Sequence, residues 1–302
     1  MISLIADGGG TRTRLWFMQS ESRTCLLKFE KGPSNIGQVG EDGLRALFKE
    51  AVGEIPKDMF PEAVLLGLAG VGREPERRRA LKVAKEFFPD ADVRVVTDAE
   101  LAYSAAFADG RHGIMIIAGT GTIGCFRTQI GHEFIRVGGW GPILGDEGGG
   151  AWIGREALRH CLAEWEGDEL SPLHAAILRE VQIDTAMQIL TKVYLEKYGP
   201  HDWAKLAPLV FQCAKEDPGA QRILKSAAIE LVSLAERIAE KQLPEAHEIP
   251  LVVTGGIWQQ KEIMQPLMEE EIMLRNLPFV FTKPAAGPME GGLLLLEELR
   301  EK

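Results

Sequence analysis

The chain has few cysteines, and none of them is placed to act with another. Four occur in 302 residues, as Cys25, Cys125, Cys161 and Cys213. They form no C-x-x-C pair, so their spacing gives no support for a zinc or iron–sulfur site. We therefore expect reduced thiols, most of them buried.

Long apolar runs and an excess of basic residues are also absent. No stretch approaches the ~20 apolar residues that a membrane-spanning helix needs. The first residues, MISLIA, lack the basic region and the longer apolar run of a signal peptide. The formal net charge is -10 and the pI is about 5.3, whereas a nucleic-acid surface should be basic. We expect a cytoplasmic protein with no membrane and no nucleic-acid partner.

Two familiar phosphate-binding motifs are missing as well. The sequence contains no G-x-x-x-x-G-K-[ST], and no G-x-G-x-x-G that leads from a strand into a helix. The early glycine turn DGGGT is followed by another apolar strand, RLWFMQ, and not by a helix. A dinucleotide-binding fold is therefore disfavoured.

What the sequence does have is an alternation of apolar strands and amphipathic helices, which predicts an α/β fold. A strand, a glycine turn and a second strand occur around DGGGT and again around GTGT. A helical stretch follows from about residue 149 to 242, and no low-complexity linker separates the two halves. Two such halves predict a ligand in a cleft between two domains.

Three of the predicted strands end in glycine-rich turns, at residues 7–11, 119–122 and 254–256. Backbone N–H groups in such turns form concave anion sites, and glycine lets a phosphate approach closely. A single turn of this kind is better explained as a plain β-hairpin. Three of them at strand ends favour a nucleotide.

A further glycine-rich segment runs from residue 137 to 158 and contains Trp140 and the acid pair Asp146–Glu147. A tight bend would explain the glycines but not the indole and the carboxylates. Carboxylates accept hydrogen bonds from hydroxyl groups, and an indole offers a flat apolar face. The segment therefore favours contact with a polyhydroxylated ligand.

Two more polar residues allow either a structural or a functional interpretation. Asp98 follows the strand VRVVT, at the end of the sheet where open α/β folds bind ligands. It also precedes a helix, where aspartate is a favoured N-cap. Asn35 in GPSNIG is a turn residue unless it faces the same cleft. The residues alone leave both questions open.

With these motifs in order along the chain, the sequence resembles the sugar kinase and heat-shock ATPase superfamily, which has the actin-like fold. More narrowly, it is similar to the N-acetylglucosamine kinase branch of the BadF/BadG/BcrA/BcrD ATPase family. The motifs that carry the resemblance are DGGGTRT, PSNIG, LGLAGVGR, VVTDAELAYSAA, IAGTGTIG, GGWGPILGDEGGGAWIG, LVVTGGI and GPMEGGLLLL.

The resemblance implies two actin-like (ribonuclease H-like) domains of mixed sheet flanked by helices, with a nucleotide and sugar cleft between them. Residues 1–107 plus 287–302 would form an N-terminal domain that holds the sugar and the first phosphate hairpin. Residues 108–286 would form a C-terminal domain that holds the nucleotide and carries a helical insertion.

The resemblance also implies roles for single residues. Asp98 would be the catalytic base and would contact the sugar, and Asp7 would lie near the magnesium ion that accompanies ATP. The other sugar contacts would be Asn35, Gly139, Trp140, Gly141 and Asp146. The ATP and phosphate contacts would be Gly8, Gly9, Gly10, Thr11, Gly119, Thr120, Gly121, Thr122, Gly255 and Gly256.

The implied activity is ATP-dependent phosphorylation of an amino sugar, N-acetylglucosamine at its C6 hydroxyl, by a homodimeric enzyme. N-acetylmuramate, glucosamine and glucose are alternative substrates. Two different functions compete with a kinase: an ATPase that activates a CoA-dependent dehydratase or reductase, and a sugar sensor without catalysis. The ATPase needs an iron–sulfur cluster, for which Cys125 has no nearby second cysteine. The sensor needs a DNA-binding segment, and no basic helix-turn-helix pattern is present.

Overall fold

The computed structural model describes residues 1–56, 59–127, 133–167, 170–243 and 245–300. Contacts within the chain divide it into two compact units. Unit 1 comprises Met1–His112, Arg127–Phe134 and Lys283–Lys302, and unit 2 comprises Gly113–Phe126 and Ile135–Thr282. Residues 301 and 302 of the predicted N-terminal domain lie outside the described residues.

Strands and helices alternate in the first part of the chain, and helices dominate the middle. The strands are β1 Ile2–Gly8, β2 Thr13–Gln19, β3 Thr24–Lys31, β4 Ala63–Leu68, β5 Asp92–Thr97, β6 Ile114–Ala118, β7 Thr122–Phe126, β8 Ile135–Gly138, β9 Ile249–Thr254 and β10 Phe279–Phe281. The helices are α1 Ile36–Gly53, α2 Glu74–Phe87, α3 Asp98–Ala106, α4 Gly150–Trp165, α5 Pro172–Val181, α6 Ala186–Tyr194, α7 Pro200–Ala204, α8 Ala207–Cys213, α9 Pro218–Gln242, α10 Lys261–Leu274 and α11 Pro288–Arg300. A 3-10 turn, Ile257–Gln260, connects β9 to α10.

Unit 1 is built on a five-stranded mixed sheet in the order β3-β2-β1-β4-β5. The first three strands are antiparallel neighbours, and β4 and β5 run parallel to β1. Successive side chains of β1 face opposite sides, so Leu4 packs in the core with α1 and α2, and Ile5 packs with α3 and α11. Helices therefore cover both faces, which explains why β4 is buried at every position.

Unit 2 repeats this arrangement with the order β10-β9-β6-β7-β8. β6, β7 and β8 are antiparallel neighbours, and β9 and β10 run parallel to β6. Its core is larger because helices α4 to α10 contribute to it. The predicted α/β fold, with two mixed sheets flanked by helices, is confirmed. Among the described helices, none is long and apolar enough to span a membrane.

Candidate functional site

The first glycine turn joins β1 to β2 in unit 1. The carbonyl oxygen of Gly9 accepts hydrogen bonds from the backbone N–H groups of Ser34 (3.0 Å) and Asn35 (3.3 Å), which precede α1. Within the described parts of the chain, the N–H groups of Gly10 and Thr11 donate to no hydrogen bond. The tip of the turn thus offers two unused donors, as an anion-binding turn requires.

Glycine is required at position 8 because of what lies beside it. A Cβ atom there would overlap Ser34 Oγ and would approach Leu68 Cδ2 to 2.7 Å. Thr13 Oγ1 lies 2.8 Å from Ser34 Oγ and 2.8 Å from the carbonyl oxygen of Gly32. Thr13 and Ser34 are fully buried, so they fix the base of the turn. Neither residue was expected from the sequence to have a role, although Thr13 belongs to the motif DGGGTRT and Ser34 to the motif PSNIG.

Asp7 is the residue of β1 that precedes the turn, and its carboxylate is half-buried. Arg14 faces it across the strand pair, with Nη1 3.7 Å from Asp7 Oδ2. Burial raises the pKa of Asp7 above its usual value, and the positive charges of Arg14 and Arg12 oppose that shift. The ionised carboxylate is therefore partly desolvated, and a further cation beside it would be favourable.

Asn35 is the N-cap of α1 and lies directly beside the first turn. Its Oδ1 accepts a hydrogen bond from the N–H of Gly37 at 3.0 Å. Gly70, with φ of 82°, packs so closely that a Cβ atom would overlap this oxygen. Among the described residues, Asn35 Nδ2 donates to no protein group. The turn residue predicted from the sequence is therefore the N-cap of α1. Its amide nitrogen is available to donate to a ligand.

Asp98 is exposed and is the first residue of α3. The N-cap is Thr97, whose Oγ1 accepts a hydrogen bond from Glu100 N at 3.0 Å. Glu100 Oε2 in turn accepts from Thr97 N at 2.8 Å, which completes a capping box. The interpretation of Asp98 as the N-cap is therefore wrong. Its own Oδ1 accepts a local hydrogen bond of 3.0 Å from Ala99 N.

The strand register places Asp98 and the first turn at the same edge of the sheet. Gly8 at the end of β1 pairs with Leu68 of β4, and Leu68 pairs with Thr97 of β5. Because neighbouring strands are about 4.8 Å apart, one strand separates the start of α3 from the glycine turn. Unit 1 therefore brings Asp7, the turn, Asn35 and Asp98 to one edge.

The second glycine turn joins β6 to β7 in unit 2 and contacts the start of α4. The carbonyl oxygen of Gly119 accepts from Gly150 N at 2.8 Å, and that of Thr120 accepts from Ala151 N at 2.9 Å. These bonds replace a side-chain cap, which α4 lacks. In the described chain the N–H groups of Thr120 and Gly121 donate to no hydrogen bond. This turn, too, keeps free donors.

The Asp146 carboxylate packs against this second turn. A Cβ atom on Gly121 would overlap Asp146 Oδ2, while Oδ1 accepts from Gly141 N at 3.3 Å. The backbone of Asp146 is left-handed, with φ of 61°, and the residue is buried. Burial raises the pKa of Asp146, and the hydrogen bond from Gly141 opposes that shift. Asp146 was predicted to contact a sugar, and it lies next to a predicted phosphate turn.

The loop around Trp140 presents large apolar side chains to solvent. Trp140, Ile143 and Leu144 are 75%, 78% and 82% exposed. Gly139 and Gly141 have φ of 68° and 89°, a conformation that other residues rarely adopt. The glycines therefore shape a loop that holds the indole in solvent.

A cavity of about 420 Å³ lies in unit 2 beside the second turn. Its volume falls in the range that small-molecule ligands occupy. Three residues predicted to contact the nucleotide line it, namely Gly119, Thr120 and Gly256. The remaining lining residues are Gly150, Ala204, Ala207, Pro208, Phe211, Ile257, Gln259 and Gln260. Helices α7 and α8 lie in the helical stretch of residues 149–242, and they supply four residues of this wall.

The two glycines after β9 differ in their surroundings. Gly255 has φ of 102°, and a Cβ atom there would overlap the carbonyl oxygen of Ala118. A Cβ atom on Gly256 would meet no atom within 4 Å. Gly255 is therefore required by the backbone, whereas Gly256 borders the cavity.

The described residues contain no group of three or more His, Cys, Asp or Glu side chains that could hold a metal ion by itself. A magnesium ion bound with a nucleotide does not need such a group, because it uses one or two carboxylates and takes its other ligands from phosphates and water. Asp7, half-buried at the first turn, is a carboxylate of the required kind.

The two units share one sheet order, and in the described chain each has a glycine turn with two N–H groups that donate to no hydrogen bond. This architecture agrees with the actin-like class of nucleotide-binding proteins that the sequence resembles. The model of the BadF/BadG/BcrA/BcrD ATPase family matches residues 6–292, and the chain belongs to that family.

Three similar proteins support this assignment. The chain is 30% identical to N-acetyl-D-glucosamine kinase of Dictyostelium discoideum, over 96% of this chain and 95% of that protein. It is 29% identical to N-acetylmuramic acid/N-acetylglucosamine kinase of Clostridium acetobutylicum, over 83% of each chain. A crystal structure from Chromobacterium violaceum, assigned provisionally as an N-acetylglucosamine kinase, superposes with a TM-score of 0.69 at 30% identity, covering 98% of each chain.

Proposed function

We propose that the protein is an ATP-dependent kinase that phosphorylates N-acetylglucosamine at its C6 hydroxyl. The observation that carries the proposal is the cavity of unit 2, which is bordered by a glycine turn with free N–H groups. Such a turn suits the phosphates of a nucleotide whose base occupies the cavity. The Dictyostelium and Clostridium relatives, both named as kinases of N-acetylglucosamine, support the sugar.

The phosphoryl donor would bind through backbone groups. In unit 2 the N–H groups of Thr120 and Gly121, with Gly119, Thr122, Gly255 and Gly256 beside them, would hold the nucleotide. In unit 1 Gly10 and Thr11, on the turn that starts with Gly8 and Gly9, offer the corresponding donors. Phosphoryl transfer has a loose transition state, so positioning and charge neutralisation supply most of the catalysis. Main-chain donors are suited to this work because they are fixed before the substrate arrives.

The proposal includes a magnesium ion with the ATP. Asp7 would hold it, either directly or through water, and the bound ion would neutralise charge on the β- and γ-phosphates. Burial of Asp7 supports this role, because a partly desolvated carboxylate gains from a neighbouring cation.

Asp98 is the proposed catalytic base. Its exposed carboxylate, at the same sheet edge as the first turn, would accept a hydrogen bond from the C6 hydroxyl and take its proton late in the transfer. The free amide nitrogen of Asn35 would donate to a sugar oxygen. The other proposed sugar contacts are Gly139, Trp140, Gly141 and Asp146.

N-acetylmuramate is the second candidate substrate, because the Clostridium acetobutylicum relative is named for both sugars. The lactyl group of N-acetylmuramate at C3 leaves the C6 hydroxyl unchanged, so the same groups would transfer phosphate to it. Glucosamine and glucose test whether the N-acetyl group is needed.

The deciding experiment measures ADP release with MgATP and a panel of sugars. We expect the highest kcat/KM with N-acetylglucosamine and no turnover with its 6-deoxy analogue, which binds alike but lacks the acceptor. N-acetylmuramate, glucosamine and glucose complete the panel. ADP release with the 6-deoxy analogue equal to that with N-acetylglucosamine would contradict C6 transfer. Absence of sugar-dependent ADP release across the whole panel would contradict the kinase.

We further propose a homodimer that works in the cytoplasm, where ATP is supplied. One face of α6 exposes Met187, Leu190 and Tyr194, followed by Leu195, and such an apolar stripe favours burial against a partner. The mass from light scattering tests the dimer, and a monomeric mass at micromolar concentration would contradict it.

A further inference from the structure

We infer that the nucleotide base is recognised by the side-chain amides of Gln259 and Gln260, and that the cavity therefore accepts guanine almost as well as adenine. The inference rests on the proposed function, because it takes the cavity of unit 2 as the nucleotide site. It adds what that function leaves open, namely the choice of purine.

Among the described residues, no charged side chain lines the cavity. The described lining side chains that can form hydrogen bonds are those of Thr120, Gln259 and Gln260. Thr120 belongs to the glycine turn, at the end where the phosphates would lie. The two glutamines are therefore the side chains left to contact polar atoms of the base.

The backbone that carries the two glutamines is firmly held. They end the 3-10 turn, in which Ile257 is buried and Trp258 stacks on Phe281 with ring centroids 5.5 Å apart and planes 17° apart. Gln259 N also donates to the carbonyl oxygen of Gly256 at 3.2 Å. A fixed backbone at the cavity edge is what base recognition requires.

Their amide groups, by contrast, are not held. Both side chains are exposed, and in the described part of the chain neither amide forms a hydrogen bond with another protein group. An amide carries one acceptor and one donor side, and a hydrogen-bond partner normally determines which way it points. Each amide here is free to rotate by 180° about its last torsion.

Free rotation matters because adenine and guanine present opposite patterns. Adenine offers a donor at N6 beside an acceptor at N1, whereas guanine offers an acceptor at O6 beside a donor at N1. A rotated amide matches either pattern. A side chain of fixed polarity, such as a carboxylate that accepts from guanine N1 and N2, would favour one purine, and no described side chain of the cavity wall is of that kind. The rest of the wall includes Ala207, Pro208 and Phe211, which pack equally well against either ring system.

The test compares the binding of MgADP and MgGDP by calorimetry, without sugar. We expect dissociation constants that differ by less than about tenfold, since no described side chain of the wall carries a carboxylate or another charged group that would distinguish the bases. A preference of tenfold or more for either nucleotide would overturn the inference. Sugar phosphorylation with MgATP and MgGTP, followed by mass spectrometry of the sugar phosphate, gives the same ratio during turnover.

Variants then test whether the two amides contact the base. Gln259→Glu and Gln260→Glu each fix an acceptor at one position, and we expect at least one of them to shift the ratio toward MgGDP by about fivefold or more. Gln265→Glu is the matched control, because Gln265 lies on α10 and does not line the cavity. If the ratio of the MgADP and MgGDP dissociation constants is unchanged in both Gln259→Glu and Gln260→Glu, the inference is overturned.

The outcomes separate this inference from the proposed function. Sugar phosphorylation that uses ATP but hardly uses GTP would overturn only the inference. Failure to bind either nucleotide, together with no sugar-dependent turnover, would overturn the proposed function and the inference with it.

Discussion

The two glycine turns have the same backbone design and different side-chain surroundings. In unit 1 the carbonyl oxygen of Gly9 accepts two N–H groups at the start of α1, and in unit 2 the carbonyl oxygens of Gly119 and Thr120 accept two at the start of α4. In both, carbonyl oxygens of the turn accept hydrogen bonds from the start of a helix. Two N–H groups at each tip, those of Gly10 and Thr11 and those of Thr120 and Gly121, donate to no hydrogen bond within the described residues. The repeated part is thus a backbone arrangement, which explains why the two motifs share little beyond glycine and threonine.

The side chains that pack directly over a glycine of each turn differ in charge. A Cβ atom on Gly10 would lie 3.0 Å from Gln38 Oε1, so a neutral and exposed amide covers the first turn. The buried carboxylate of Asp146 covers the second. We therefore expect substitutions to affect the two turns according to the groups that pack on them, and side-chain substitutions to separate the functions of the turns.

The largest expected effect separates chemistry from nucleotide binding. Asp98→Asn removes the proposed base of unit 1, and we expect kcat to fall by about 10²- to 10⁴-fold. The dissociation constant of MgADP should stay the same, because Asp98 is not among the proposed contacts of the nucleotide or of the magnesium ion. Steady-state kinetics and calorimetry measure the two effects, with Asp90→Asn, an exposed aspartate that follows α2, as the control. Near-normal turnover of Asp98→Asn would show that another group takes the proton.

A pair of glycine substitutions in one turn tests how crowded the second turn is. Gly121→Ala would force a methyl group into the Asp146 carboxylate, and we expect it to cost about 1–3 kcal/mol of stability. Gly119→Ala points into open space, so stability should change by less than about 0.5 kcal/mol while MgADP binding weakens. Urea unfolding and calorimetry separate the two. Equal stability of both variants would mean that Asp146 moves away freely.

The two helix starts can be compared in the same way. Thr97→Ala removes the side-chain cap of α3, and we expect a loss of about 1 kcal/mol in the free energy of unfolding. No equivalent substitution exists at α4, because main-chain carbonyls cap it. Thr97→Ser retains the hydroxyl group and serves as the control. A loss of stability in Thr97→Ser as large as in Thr97→Ala would argue that the methyl group, and not the cap, is what matters.

The smallest expected effect on the free energy of unfolding concerns Asp7, where the substitution is expected to stabilise the protein. Its pKa is raised by burial, so the folded protein holds this proton more tightly than the unfolded chain does. The stability it contributes is present at low pH and is lost as the pH rises through the raised pKa. We therefore expect Asp7→Asn to be more stable than the unchanged protein at pH 7, by up to about 1 kcal/mol. The difference in the free energy of unfolding between Asp7→Asn and the unchanged protein should become smaller as the pH is lowered toward 4.

Urea unfolding at pH 7 and at pH 5 measures this difference. The Arg14 pair that the substitution removes is partly exposed and long, so its loss should cost little. A less stable Asp7→Asn protein at pH 7 would mean that attraction to Arg14 outweighs the cost of burial. Sugar phosphorylation by Asp7→Asn should fall in either case, because the proposed metal ligand is lost.

The sequence was informative where a local pattern determines structure. A glycine turn after an apolar strand, as at Gly8, is visible because few other residues tolerate such close approach. The α/β fold followed from the alternation of strands and helices. The strand β8 was not predicted, because it has only four residues and its last one, Gly138, belongs to a glycine-rich segment.

Features that depend on contacts between distant residues were not visible in this way. Thr97 and Asp98 are both favoured cap residues, and only the helix start decides which of them acts. Pro208 and Phe211 look like core positions, because nothing local shows that α8 borders a cavity. The position of Asp146 follows from its left-handed backbone and from the contact with Gly121, neither of which its neighbours in sequence reveal.

The exposed loop of unit 2 has a practical consequence for optical work. Of six tryptophans, Trp140 alone is exposed, and the other five are each half-buried. Indole emission moves to shorter wavelength when water leaves the ring, so a molecule that covers Trp140 would alter the intrinsic fluorescence of the whole chain. The protein thus contains its own label-free reporter, at a residue that the proposed function assigns to the sugar.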